Sequence, residues 1–227
     1  YSMTDSNGAL PDYGVGSVSA VPPEYADIFG YEYIANGTRD QAIISRLSVG
    51  PSAAFLNYPA PAGAGATLPV ENNLWYDLTN PLFNEETQTA ESWNDDNSDF
   101  TNDIWVDGEV ACALIVPETR TYMVIGNDKF RRSSAYYKGV DYAADNVSVS
   151  NGPQAYHGAD WFCEYWLYSV DDLLRVKNGE ITPYSVRPYE RGMLNLPVLT
   201  GGENENEIHF TGGNYDPVNN RILLSVN

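Results

Sequence analysis

The sequence predicts an all-β protein assembled from imperfectly repeated antiparallel units. Three observations lead there. Its 14 Pro and 19 Gly punctuate the chain and keep apolar runs short. β-Branched and aromatic residues fill those runs, and helical periodicity is poor. One hairpin pattern, two β runs around a turn-forming connection, occurs twice. Imperfect repetition of β units is a solenoid or propeller signature, so the expected fold class is a β-propeller-like stack of four-stranded antiparallel units, whole or partial.

In chain order, residues 1–24 are mostly turn formers and read as an extended N-terminal arm, with residues 25–227 as the propeller-like domain. Ile43 to Pro51 and Ala53 to Tyr58 read as a strand pair with the Pro/Ala/Gly loop Pro59 to Gly65 as its link. Val110 to Val116 runs into Pro117-Glu118-Thr119-Arg120 and out through Thr121 to Gly126, a hairpin. Phe162 to Tyr168 alternates as a strand. Val170 to Val176 is a short helical turn or strand exit, Lys177-Asn178-Gly179 turns the chain, and Tyr184 to Leu196 is an outer strand with a proline break. A four-stranded unit thus spans 107–198 around a loop insertion at about 127–160. The clearest hairpin joins Ile208 to Tyr215 with Arg221 to Val226 through Asp216-Pro217-Val218-Asn219-Asn220. There the Asp bonds nearby backbone, Pro presets φ and Asn tolerates positive φ.

Length and composition exclude several classes. A chain of 227 residues and 25.1 kDa suits one domain with a sizeable core. At 43% hydrophobic and 13% aromatic it is too apolar for a disordered chain. Its longest apolar runs fall short of the roughly 20 residues a membrane-spanning helix needs. With 31 acidic against 12 basic residues and a net charge of −19, its field repels phosphate backbones and anionic lipid heads, so neither nucleic acid nor membrane insertion is expected. No Lys or Arg lies between Arg46 and Arg120, an interval with twelve Asp and Glu. Such self-repulsion is tolerated in high salt, with a bound cation or against a cationic partner.

Two cysteines, Cys112 and Cys163, form no disulfide framework and no zinc spacing; one buried bridge and two core thiols are both open. Asn36-Gly37-Thr38 and Asn146-Val147-Ser148 are formal glycosylation acceptors that mark exposed loops. The chain opens at Tyr1 and stops inside a strand-like run, which reads as a processed or partial chain.

The segments Tyr156-His157-Gly158-Ala159-Asp160-Trp161, Val176-Lys177-Asn178-Gly179, Pro183 to Tyr189 and Gly213-Asn214-Tyr215-Asp216-Pro217 carry a resemblance. Over roughly residues 105–227 the chain resembles uncharacterised secreted bacterial β-propeller-like repeat proteins. The resemblance implies the fold and a secreted, extracellular location, and no reaction.

Chemistry-bearing candidates are few. The run from Trp93 to Asp103 offers Asp95, Asp96, Asn97, Asp99 and Asp103 as hard oxygen ligands for calcium, although its spacing is not that of an EF-hand loop. The alternatives are a solvated acidic loop, or catalytic carboxylates drawn from this segment, Asp107, Glu109 and Glu164. Tyr136, Tyr137, Tyr156, His157 and Trp161 read as an aromatic platform in the insertion that would stack on a glycan or meet a protein partner; the plainer alternative is that they cover the insertion's own small core. His209 reads as structural, and Lys129, Arg131, Arg132 and Lys138 form a basic patch. No phosphate loop, dinucleotide fingerprint, metalloprotease helix or hydrolase elbow is present. The function expected is an acidic extracellular binding or assembly module, non-catalytic and stabilised by calcium, whose ends pair with another copy or with the remainder of a longer chain. The alternative is a secreted polysaccharide-active enzyme, a glycosidase or lyase, with acids at a propeller mouth.

Overall fold

A computed structural model describes residues 2–5, 17–36, 50–57, 67–76, 80, 82, 109–131, 134–135, 138–139, 157–158, 161–194 and 210–226. These residues are mostly β, in antiparallel sheets with few helices and no closed barrel. The first sheet contains β1 (Ser2–Asp5), β2 (Ser17–Ala20), β3 (Tyr33–Asn36), β4 (Ala53–Leu56) and β5 (Thr67–Leu74) in the order β1-β5-β4-β3-β2. All its pairings are antiparallel except β1 on β5. The second sheet contains β6 (Glu109–Ile115), β7 (Thr121–Arg131), β11 (Trp161–Ser169) and β12 (Glu190–Met193) in the order β12-β11-β7-β6, with the short β8 (Ser134–Ala135) on β7. Two-residue strands β9 (Lys138–Gly139) and β10 (His157–Gly158) pair with each other. The hairpin β13 (Phe210–Asp216) and β14 (Arg221–Val226) is a third layer.

Alternation along the strands divides the side chains between two apolar clusters. Ala113, Ile115, Tyr122, Val124, Trp166 and Tyr168 of the second sheet share a core with Ile34, Ala53, Phe55 and Leu74 of the first. Their neighbours Cys112, Leu114, Ile125, Cys163 and Tyr165 meet Phe210, Tyr215, Ile222 and Leu224 of the hairpin. The second sheet is therefore the middle layer, and β6 at its edge is buried on both faces. β2 lies against β6 and β6 against β13, so one edge strand of each sheet neighbours that of the next.

Two helices fill the space between the first two sheets. Helix α1 (Pro23–Phe29) starts on a proline whose fixed φ suits the first helical turn, and ends on Gly30 in the left-handed region at φ 74°. Its Phe29 stacks on Phe55 with ring centroids 4.2 Å apart. In α2 (Val170–Lys177) the Ser169 side chain accepts from the Asp171 amide. Asp171 and Asp172 sit in its first turn and Arg175 and Lys177 in its last, matching the helix dipole, while Val170, Leu173 and Val176 are buried.

The four-stranded unit at 107–198 is present as β6-β7-β11-β12, and both hairpins form. The Asp216 carboxylate accepts from the Val218 amide at 3.0 Å and the Asn219 side chain at 2.7 Å, and Asn220 adopts φ 50°. Other parts differ from the sequence reading. Within 1–24, Ser2–Asp5 and Ser17–Ala20 are strands of the first sheet. The ladder of β7 continues to Lys129 opposite Trp161, inside the span read as insertion. Of the outer strand expected over Tyr184–Leu196, Glu190–Met193 is strand, while Pro183–Ser185 is a 3-10 turn because Pro183 and Pro188 cannot donate to a ladder. Of the Ile43–Tyr58 pair, Ala53–Leu56 is strand, and 43–49 lies outside the described residues. Asn36, read as an exposed acceptor, is 0% exposed, and its Nδ2 donates to the Ser52 carbonyl at 2.8 Å. A buried amide committed to that bond is no glycosylation site.

Candidate functional site

Strand pairing gathers several chain segments at one end of the second sheet. Glu109, where the acidic segment leads into β6, lies opposite Asn127 of β7, and Asn127 lies opposite Cys163 of β11. Lys129 pairs with Trp161, and the Leu194 amide donates to the Cys163 carbonyl at 2.7 Å where β12 ends. The segment 95–107 and the insertion therefore both connect to the body at this end. Glu164, one of the carboxylates considered for catalysis, is in β11 beside it and is 5% exposed.

Of the proposed aromatic platform, Trp161 begins β11, and His157 is in β10, paired in parallel with Lys138. Tyr136, Tyr137 and Tyr156 lie outside the described residues, as do Asp95, Asp96, Asn97, Asp99 and Asp103, Arg132 and His209. Among the described residues no group of three or more His, Cys, Asp or Glu is placed to hold a metal ion, and no helix is long and apolar enough to cross a membrane.

The opposite end is pinned by polar contacts. The Tyr25 hydroxyl donates to the Thr119 carbonyl, and the Glu118 amide donates to Glu24 at 2.8 Å, tying α1 to the 117–120 turn. The Val170 amide donates to the Arg120 carbonyl at 2.9 Å, and Arg120 pairs with Asp171, tying the same turn to α2. Where α2 ends, Lys177 Nζ is 3.5 Å from Glu71 Oε2 and 5.3 Å from the centre of the Tyr31 ring, while the Tyr31 hydroxyl donates to the same carboxylate oxygen at 3.0 Å. Burial first, then the Glu71 carboxylate, raises the Tyr31 phenol above its ordinary value.

Between the sheets runs a seam of buried tyrosines that the sequence did not announce. Tyr122 donates to the Ser52 carbonyl at 2.7 Å, and Tyr76 donates to the Val186 carbonyl at 2.6 Å beneath the Arg187 guanidinium. Burial pushes the phenols of Tyr76, Tyr122 and Tyr168 well above their ordinary value. The only sequence signal was the two-residue spacing of Tyr122 with Val124 and of Trp166 with Tyr168, which marks an inward face but not its polar partners.

Cys112 and Cys163 form no disulfide with each other. Cys112 pairs across β6–β7 with Ile125, and Ile125 pairs across β7–β11 with Tyr165, so the two cysteines are two strands apart. At about 4.8 Å per strand that exceeds the roughly 7 Å Cα limit for a bridge. Burial pushes both thiols up to about 11, which suits inert core residues rather than nucleophiles.

No family model, no curated protein and no solved structure matches this chain. The fold and site define an all-β protein of three stacked layers with one pinned end and one end where long connections leave.

Proposed function

We propose that this chain is a non-catalytic extracellular binding module of propeller-like build. One observation carries the reading: the strand ends that receive the acidic segment and the aromatic insertion meet at a single end of the second sheet, through the Glu109–Asn127–Cys163 and Lys129–Trp161 pairings. The contact of β2 with β6 and of β6 with β13 supports a radial stack, in which one edge strand of each unit neighbours the next around an axis. In this reading calcium held by Asp95, Asp96, Asn97, Asp99 and Asp103 offsets local repulsion, and Tyr136, Tyr137, Tyr156, His157 and Trp161 meet a glycan or a protein.

Calorimetric titration with calcium, followed by thermal melts, tests the cation. A ligand present at a hundred times its dissociation constant stabilises by about 2.7 kcal/mol, so a clear rise in Tm is expected. An unchanged Tm and no heat of binding remove calcium from the reading. Binding to polysaccharides, measured with and without Trp161→Ala, tests the platform; equal binding by both proteins removes it. The polysaccharide-active alternative is favoured by one feature, the buried Glu164 beside the same end. It requires product release from a polysaccharide that Glu164→Gln abolishes.

A further inference from the structure

The hairpin covers the outer face of the second sheet at β6, while Cys163, Tyr165, Leu167 and Ser169, which alternate onto the same face of β11, are only half-buried. Two tyrosines are laid over this part of the face, each held by its hydroxyl. Tyr165 lies opposite Gly192 of β12. A Cβ on Gly192 would come within 2.9 Å of Tyr165 Oη and 3.0 Å of Cε1 and Cζ, so the ring takes the space a side chain would fill. Its hydroxyl donates to Glu190 Oε1 at 2.9 Å. Tyr189 comes from the other direction. Its amide donates to the Leu167 carbonyl at 2.8 Å, and its hydroxyl is 2.7 Å from Thr121 Oγ1 of β7, on the far side of β11. Thr121 alternates onto the outer face with Met123 and Ile125, so the Tyr189 side chain crosses β11 there, and it is 57% exposed. Between the two rings, Leu167 is paired with Glu190.

We propose that the outer face of β11 and β12 is a binding site for an uncharged oligosaccharide, which stacks on the Tyr165 and Tyr189 rings while Glu190 accepts its hydroxyls. Sugar rings present C–H faces to the negative face of an aromatic ring and O–H donors at their edges. Both needs are met here. The rings are fixed in advance by Glu190 and Thr121, so little side-chain freedom is lost on binding. Glu190 is exposed, and its Oε2 meets no donor among the described residues, which leaves it to accept a charge-assisted bond from a ligand hydroxyl. That carboxylate and the net charge of −19 both oppose an acidic ligand. A protein partner would bury about 800 Å² on each side, more than two part-exposed rings and a leucine supply. Ser169, where Tyr189 crosses, is four residues from Tyr165, about 13 Å along the strand, which is longer than one sugar ring and calls for a chain of them. The site stands on β11 and β12 and does not rest on the insertion or on calcium, so each reading can fail without the other.

The test uses the full chain and calorimetric titration with cellohexaose, xylohexaose and mannohexaose as uncharged probes and hexagalacturonate as the charged one. At least one uncharged probe should bind, and more tightly than hexagalacturonate. Tyr165→Ala and Tyr189→Ala should each weaken that binding by about 2- to 13-fold, the loss of one stacked ring. Gly192→Ala requires only the hydroxyl end of the Tyr165 side chain to move aside, so it should weaken binding by a similar factor with an unchanged circular dichroism spectrum and Tm, which separates ring placement from folding. No heat with any uncharged probe overturns the proposal, and a preference for hexagalacturonate overturns the ligand class. Gly192→Ala that binds as tightly as the parent protein overturns the pinned ring. Binding lost in Trp161→Ala but kept in Tyr165→Ala overturns this site and leaves the insertion platform standing; the reverse pattern supports this site and removes Trp161 from it.

Discussion

The hairpin meets the middle sheet through a glycine, and that contact yields a sharp prediction. A Cβ on Gly213 would lie 2.8 Å from Cys112 Cβ and 2.8 Å from Leu224 Cδ2, about 0.6 Å inside the 3.4 Å at which ordinary contact begins. Cys112 is held in β6 between β7 and the first sheet, so the hairpin must give. Gly213→Ala therefore overpacks one interface, at about 1–3 kcal/mol. If that cost falls on hairpin docking alone, the undocked population rises about 5- to 150-fold. Cys112 reports it, because it is 2% exposed and packed beneath the hairpin. Its thiol, pushed up to about 11, is roughly one part in a thousand thiolate at pH 8, so alkylation of the native protein is slow. Alkylation of Cys112 followed by mass spectrometry should accelerate by that factor in Gly213→Ala. Gly212→Ala is the control, since its Cβ would meet only Ser225 Oγ, at 3.2 Å. An unchanged Cys112 rate in Gly213→Ala refutes the reasoning. So does a rate increase that merely tracks global unfolding, because the hairpin would then not open separately.

Phe55→Ala should lower stability by about 3–5 kcal/mol, measured by denaturant midpoint, since Phe55 is 0% exposed and stacked on Phe29. Alkali should unfold the protein. Folded-state values raised by burial for Cys112, Cys163, Tyr76, Tyr122 and Tyr168 mean their contribution is complete below the unfolded thiol value of 9.0 and is lost as pH climbs to about 11 and beyond. Tyrosinate absorbance and circular dichroism should change together, and early titration of all 17 tyrosines without unfolding would contradict this. Asp216→Ala should weaken amide exchange protection across Phe210–Val226 while leaving β7 and β11 protected. The Asn219 side chain, then Arg221 and two backbone amides, hold that carboxyl below its ordinary value. Its support is therefore present above the ordinary carboxylate range and is lost as pH falls through the lower folded value, which exchange measured in acid should show.

What was legible in the sequence was local. The turn chemistry of Asp216, Pro217 and Asn220 specified the last hairpin, and the alternation of Phe162 to Tyr168 specified β11. Helix α1 was hidden because Pro22-Pro23 reads equally as a turn former and as a first helical position, and seven residues are too few to show periodicity. The pairing of β1 with β5 and the Tyr122–Ser52 bond join residues more than sixty positions apart. Such contacts are set by how sheets stack, which no short window encodes. For the candidate site, the residue types were legible and their convergence was not. Only register shows that Glu109, Asn127 and Cys163 meet, and only strand separation shows that Cys112 and Cys163 stay apart.

The two kinds of strand in this chain tell where the layers end. Val110 to Ile115 is apolar at every position and buried at every position, as a strand must be when both faces are covered. β14 places Ile222 and Leu224 against the core but leaves Leu223 and Ser225 on the surface. A strand that alternates in this way has one dry face, so the hairpin is the outer layer among the described residues. The middle sheet meets solvent along β12 and at its ends, one of which is tied down by α1, α2 and the 117–120 turn. The end at Glu109, Asn127 and Trp161 is thus where variation can be accepted without disturbing either core, and long connections start and finish there for that reason.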